Sequence, residues 1–273
     1  MSQYDLKKLK LLASGGEANI YEIDAHKVLR VIYKRESNNK NTEENVYPLL
    51  EKNRINVPQI YEYLTINDQK AQLMERINGK SLLGEWIRHP FAEKEQMHEF
   101  AGMHAEILRI KGGRDIPSLQ DTLHYFVTHR QTDLRSEVQN KITHLYDRLP
   151  GGNNLCHGDF HPGNILVSGE KKTIIDWSGV HTGNPLSDIA HTYLLMTCVP
   201  KIPGQSKIQY FIMHKAGTKR ANEYKKEMQE QMQFGENEFE QWLMVMSLFR
   251  IYCGLPSEKE ERIKYIIDRE NLL

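Results

Sequence analysis

His157-Gly158-Asp159-Phe160-His161-Pro162-Gly163-Asn164 is a polar stretch carrying two glycines and a proline, set between the apolar Leu155-Cys156 and the strand-like Ile165-Leu166-Val167. That composition between apolar runs predicts a rigid loop joining short strands. Asp159 and Asn164, five residues apart, can point into one site, the carboxylate taking a proton and the amide offering a neutral oxygen to a hard cation. The next apolar run, Thr173-Ile174-Ile175, leads straight into Asp176. A hairpin over 165–176 therefore returns a second carboxylate to the neighbourhood of Asn164. One carboxylate and one amide suit Mg²⁺, which keeps most of its waters and completes its shell with phosphate oxygens. Any one of these residues alone would pass as a turn cap on a surface hairpin. The constellation of a base, an amide and a carboxylate at the end of the next strand points instead to a site.

HGDFHPGNIL followed by IIDW closely resembles the catalytic loop and metal-binding motif of the aminoglycoside phosphotransferase and choline kinase-like family, relatives of the protein kinases. The resemblance implies that Asp159 is the catalytic base, that Asn164 and Asp176 are Mg²⁺ ligands and that His157 is a structural member of the loop. It extends over the whole chain. It implies an α+β, two-lobed protein kinase-like fold with a small antiparallel sheet and one helix in the N-terminal lobe, and a mostly helical C-terminal lobe.

The length of 273 residues and the mass of 31.9 kDa leave room for two such lobes and a sizeable core. Thirty-six basic residues balance thirty-six acidic ones, so nothing global favours nucleic acid or an anionic membrane, and any phosphate binding must be local. No apolar run approaches the roughly 20 residues that span a bilayer. The start, MSQYDLKKLKLLASGG, is too charged for a secretory signal. The expectation is a cytoplasmic protein with no nucleic-acid or membrane partner. Cys156, Cys198 and Cys253 lack metal-like spacing and read as buried thiols.

Outward from the hairpin, the chain begins with three short strands over 9–13, 20–23 and 27–33, punctuated by Ser14–Asn19 and Asp24–His26. The turn at Gly15-Gly16 could lay backbone N–H groups over phosphates, although Gly-Gly also serves ordinary hairpins and the GxGxxG pattern is absent. In the third strand Val28, Arg30 and Ile32 share a face. The resemblance places a phosphate-pairing cation at Arg30, where relatives usually carry Lys, and an adenine contact at Val28. A planar guanidinium grips phosphate differently from a point-charge ammonium. The following helix, 41–50, carries Glu43 and Glu44 in its first turn. The family pairs a Glu of this helix with the strand cation, and spacing to the leucines favours Glu43. Strands at 57–64 and 71–75 complete the sheet. The resemblance then makes 75–79 a hinge, with main chain at Glu75 and Ile77 binding adenine. It divides the chain into a nucleotide-binding lobe, 1–77, and a catalytic and substrate lobe, 78–273.

Helices are expected over 91–110, 118–130, 133–149, 189–199, 218–233, 237–253 and 258–271. His98 and His104 are six apart, the wrong spacing for two ligands on one helix face, and read as structural. Asp188 reads as an acid at a helix start, with a loop-bracing role implied by the resemblance. Glu227, Glu230, Glu236, Glu238 and Glu240 could attract a cationic substrate or form a solvated face. The resulting reading is an ATP- and Mg²⁺-dependent kinase acting on a hydroxyl of a small molecule, with aminoglycosides, amino alcohols, choline-like amines and sugars all compatible. Alternatives are an atypical protein kinase and a nucleotide-binding pseudokinase scaffold. Retention of Asp159 together with Asn164 and Asp176 disfavours the scaffold, since binding alone needs no base.

Overall fold

The computed structural model describes residues 4–33, 42–88, 93–198 and 206–273. The expected helix residues Asn41, Phe91, Ala92 and Val199 lie outside them. Strands β1 (Leu11–Ser14), β2 (Ala18–Glu22) and β3 (Lys27–Ile32) form a meander, followed by helix α1 (Thr42–Lys52) and strands β4 (Ile60–Ile66) and β5 (Gln69–Glu75). The five strands make one antiparallel sheet in the order β1-β2-β3-β5-β4. Period-two alternation in β3 sends Leu29 and Val31 into a small core with Ile66 and Ala71. Val28, Arg30 and Ile32 face the opposite side, into a cleft.

Helix α1 accommodates Pro48 in its interior. Its buried face, Val46, Tyr47 and Leu50, belongs to the large core of the helical region rather than to the small core of the sheet. Asn56, just beyond it, accepts from the Ile174 amide at 2.9 Å. The sheet is thereby tied to the hairpin identified above.

Strand β6 (Lys80–Ser81) leads into α2 (Leu82–Arg88), where the Ser81 hydroxyl accepts from the Gly84 amide at 3.2 Å, the capping expected of a serine there. Then come α3 (Glu93–Arg109), α4 (Leu119–His129), α5 (Ser136–Arg148) and β7 (Asn154–Cys156). The hairpin β8 (Ile165–Ser168) and β9 (Lys171–Ile174) joins β6 in a three-stranded sheet, and β10 (His181–Gly183) pairs with β7. The chain continues with α6 (Pro185–Thr197), α7 (Lys207–Met232), α8 (Glu236–Cys253) and α9 (Pro256–Ile267). Helix α7 starts well before the expected residue 218 because Ser206 and Gln209 form a reciprocal capping box that fixes its first turn. Helix α8 is buried along most of its length, Phe239, Trp242 and Leu248 among its core residues, and forms the centre against which α5, α6 and α9 pack. No helix among the described residues is long and apolar enough to cross a membrane.

Candidate active site

The loop after β7 passes so close to the segment following β9 that a Cβ on Gly158 would meet the Gly179 carbonyl oxygen at 2.0 Å. Gly158 also has φ +78°, a left-handed conformation that side chains disfavour, so only glycine fits. His157 is fully buried beside it. Its Nε2 lies 3.1 Å from the Ile175 carbonyl, which can only accept, so Nε2 carries the hydrogen and Nδ1 accepts from the Asp159 amide at 3.2 Å. Burial holds this imidazole below its ordinary pKa and hence neutral.

Asp188, at the start of α6, is completely buried. Its carboxylate accepts from the amides of His157 (2.7 Å) and Gly158 (3.1 Å) and from His104 Nε2 (3.0 Å), while His104 Nδ1 meets the Tyr224 hydroxyl at 2.6 Å. Burial alone would raise the Asp188 pKa; the His104 hydrogen bond and the surrounding imidazoles more than offset it and hold the carboxyl far below its usual range. Asp188→Ala leaves three buried donors without an acceptor, and the expected loss is about 3–5 kcal/mol of unfolding free energy, read by urea denaturation. A variant within about 1 kcal/mol of wild type would show that the loop stands without this brace. Because the folded pKa is depressed, Asp188 contributes its full stability above the unfolded carboxyl pKa of about 3.9 and loses it as pH falls below that value.

Within the loop, Asn164 Nδ2 donates to Asp159 O (2.9 Å) and Oδ2 (3.0 Å). Its Oδ1 is thus turned away from Asp159, with no partner among the described residues. The Ile175 amide donates to Asn164 O at 2.9 Å, which sets the two strand ends side by side. Asp176 follows in a left-handed conformation, φ 62° and ψ 67°, strained for a residue with a Cβ. One oxygen of its carboxylate accepts from Ser178 Oγ at 2.9 Å and lies 3.3 Å from Arg30 Nη2. Burial opposes ionisation of Asp159, but His161, 3.7 Å away, leads the contributions that bring its pKa below the ordinary carboxylate value. Asp159 is therefore ionised at neutral pH and able to accept a proton.

Opposite the loop, Arg30 Nη1 contacts both Glu43 oxygens, at 2.8 and 2.6 Å, and the Gln72 oxygen at 3.0 Å; Gln72 Nε2 in turn donates to Glu43 at 3.0 Å. Glu44 faces Lys70 instead, at 3.7 Å. Gln72, on β5 across from Arg30, carried no sequence signal beyond its position in a strand. Glu17 also enters this group. Partial desolvation, then the nearby Asp176 carboxylate, raise its pKa. If Arg30 pairs with nucleotide phosphates, as the resemblance implies, Glu43→Gln is expected to raise KM for the nucleotide about tenfold, the order of one lost charged hydrogen bond, while Glu44→Gln leaves it unchanged; steady-state kinetics at varied nucleotide would check this, and the reverse pattern would count against the pairing.

The Glu75 amide is used by the Gln59 carbonyl at 2.8 Å, whereas the Ile77 amide has no acceptor among the described residues. A Cβ on Gly16 would meet nothing within 4 Å, and one on Gly15 only the Ala18 oxygen at 3.6 Å, so the protein itself does not demand glycine in this turn. All these groups line a cleft of about 2010 Å³, roughly twice the upper size of a pocket for one small ligand. There is room for two substrates.

The far end of the cleft is walled by α4, α6, α8 and α9, with Arg130, His191, Arg250 and Glu258 among its lining residues. The acidic residues considered for a cationic substrate are elsewhere: Glu227 pairs with His98, Glu236 with Lys225 and Glu240 with Tyr265. Of the cysteines only Cys156 is buried; Cys198 is half-buried and Cys253 exposed, contrary to the expectation of three buried thiols, because the latter two border this cleft.

The profile of the phosphotransferase enzyme family matches residues 8–217. The chain belongs to this family. Membership makes it a small-molecule kinase. No curated protein sequence matches the phosphotransferase significantly. Similar solved structures include an aminoglycoside-3′-phosphotransferase of type VIII, 15% identical over 89% of this chain and 93% of that one, TM-score 0.63. An amicoumacin kinase in complex with AMP-PNP, Ca²⁺ and Ami is 14% identical over 97% and 90%, TM-score 0.61. A choline/ethanolamine kinase family protein from Mesorhizobium loti is 14% identical over 95% and 87%, TM-score 0.56. At such identities the likeness is one of fold: the phosphotransferase shares their kinase-like architecture of an antiparallel sheet followed by a helical region.

Proposed function

We propose that this phosphotransferase moves the γ-phosphoryl group of ATP to a hydroxyl of a small molecule bound beside Asp159, with residues 1–77 as the nucleotide-binding lobe and 78–273 as the catalytic and substrate lobe. The observation that carries the reading is the meeting of Asp159, Asn164 and Asp176 at one end of the β8–β9 hairpin, opposite the Arg30–Glu43 pair.

A divalent cation fits this place. Arg30 is one positive charge against the carboxylates of Glu43, Asp176 and Glu17, an excess that favours a bound cation. Asn164 Oδ1 and the Asp176 carboxylate would hold Mg²⁺. Among the described residues no cluster of three or more His, Cys, Asp or Glu could enclose a metal, which suits an ion that takes the rest of its shell from water and nucleotide oxygens. Bound there, Mg²⁺ would neutralise charge on the β- and γ-phosphates.

Around it, each protein group has a defined task. Arg30, aimed by Glu43 and Gln72, pairs with the α/β-phosphates. Val28 packs on adenine, the Ile77 amide and the Glu75 main chain bind its edge, and the Gly15-Gly16 turn covers the phosphates. Asp159 orients the acceptor hydroxyl and takes its proton as the phosphoryl group transfers. The loose transition state asks for positioning and charge neutralisation more than covalent chemistry.

A small acceptor is favoured over a protein because little chain follows Asp176: Trp177–Gly179 forms one 3₁₀ turn, His181–Gly183 is committed to β10, and α6 begins at Pro185. Among the described residues that segment leaves no platform for a peptide. The loop reads His-Gly-Asp and lacks the arginine that would sense an activating phosphate. Transfer of ³²P from labelled ATP to a desalted metabolite extract, run beside a protein extract, tests this. Label is expected in metabolites; labelling of specific proteins alone would favour a protein kinase.

A further inference from the structure

The helical wall of the cleft is short of negative charge. Of the carboxylates near it, Asp176 lies beside Arg30, Asp159 is the group assigned to the acceptor hydroxyl, and Glu258 is buried with both oxygens held by Arg250, Nε to Oε2 at 3.0 Å and Nη2 to Oε1 at 2.6 Å. No carboxylate on that wall, among the described residues, is left to receive an ammonium group.

Donors are present instead. Arg250 Nη1 lies 3.4 Å from His191 Nε2. Because a guanidinium only donates, that imidazole nitrogen accepts, and the ring hydrogen sits on Nδ1, a buried atom with no partner among the described residues. Burial, then the Arg250 charge, push the His191 pKa down to about 3, so the ring is uncharged at neutral pH. One Nη1–H of Arg250 has no acceptor among the described residues. Arg130 reaches the same corner, its guanidinium 4.3 Å from the Phe126 ring centre and Nη1 donating to the Tyr252 carbonyl at 3.0 Å. Phe126 and Phe249 also line the cleft here. An ammonium group in this corner would lose its hydration beside two guanidinium groups, with Asp159 already committed to the acceptor hydroxyl. An oxyanion would gain the remaining Arg250 Nη1–H and the positive charge of Arg130.

We propose that the acceptor is a hydroxyl compound carrying an oxyanion, a carboxylate or a phosphate, bound by Arg250 and Arg130 beside Asp159. The proposal rests on the small-molecule kinase reading and narrows its substrate class. ADP release by the full chain with ATP and Mg²⁺ would be measured on matched acceptors: hydroxy acids (glycerate, gluconate), sugar phosphates (glucose 6-phosphate), their uncharged parents (glycerol, glucose) and amines (ethanolamine, kanamycin). The expected result is a kcat/KM for at least one anionic member about tenfold or more above its uncharged parent, with no turnover of the amines. Arg130→Gln raises KM for that acceptor about tenfold and leaves KM for ATP unchanged, and Arg130→Lys, which keeps the charge but not the fork, falls between. The hydroxy-acid and sugar-phosphate arms identify which oxyanion is read. Turnover confined to amines, or equal across charge classes, overturns the proposal and leaves the kinase reading standing. Phosphorylation of proteins with none of any acceptor removes both.

Discussion

Asp159→Asn is expected to lower turnover by about 10²–10⁴ while nucleotide affinity stays near wild type. The asparagine oxygen can still accept the Asn164 Nδ2 hydrogen bond now made at 3.0 Å, so the loop keeps its geometry. What disappears is the group proposed to take the acceptor's proton. The carboxyl is held below its ordinary pKa, so in the wild-type enzyme Asp159 stays ionised well below neutral pH, and any loss of activity between pH 6 and 7 must come from another group. Turnover by ADP release and nucleotide affinity by calorimetry check both halves of the expectation. A variant with wild-type turnover would remove Asp159 from the mechanism.

Asp176→Ala should abolish measurable turnover and remove the Mg²⁺ dependence of ATP binding. Its carboxylate is 42% exposed, and of its donors Ser178 is exposed while Arg30 keeps Glu43 and Gln72, so the melting temperature should move little. That separates it from Asp188, whose loss would act through the fold. Removing Asp176 also takes one acidic contact from Arg30 but leaves the closer Glu43 pair at 2.6 Å, so nucleotide binding without metal should survive. Calorimetry giving equal ATP affinity with and without Mg²⁺, in wild type and variant alike, would contradict the role.

The parts of this site that could be read in the sequence are those that lie close along the chain. Asp159, Asn164 and Asp176 belong to one loop and hairpin, and strand periodicity alone returns the third to the first two. The face shared by Val28, Arg30 and Ile32 follows from the same period. Glu43 against Glu44 was decided by register, and only the fold puts Gln72 between Glu43 and Arg30. Asp188 could be read as a helix-start acid, yet nothing in a linear chain joins it to His104 or Tyr224. The Arg250–Glu258 pair straddles the junction of α8 and α9, so helical i, i+4 spacing does not reveal it. Ser206 and Gln209 did carry a readable signal, the capping-box spacing. It was obscured by Gly217 and by Ile208, Phe211 and Ile212, which are exposed rather than arranged as a buried stripe.

Tyr224, His104 and Asp188 stand in line behind the loop, and Tyr224 is the last of them to leave the ribosome. A nascent chain that has emerged only as far as the hairpin already holds Asp159, Asn164 and Asp176, but not the helix whose hydroxyl anchors His104. The contacts that hold the loop span 30 to 120 residues, so their closure is a late, entropically costly event. The brace behind the loop is therefore complete only once α7 has docked.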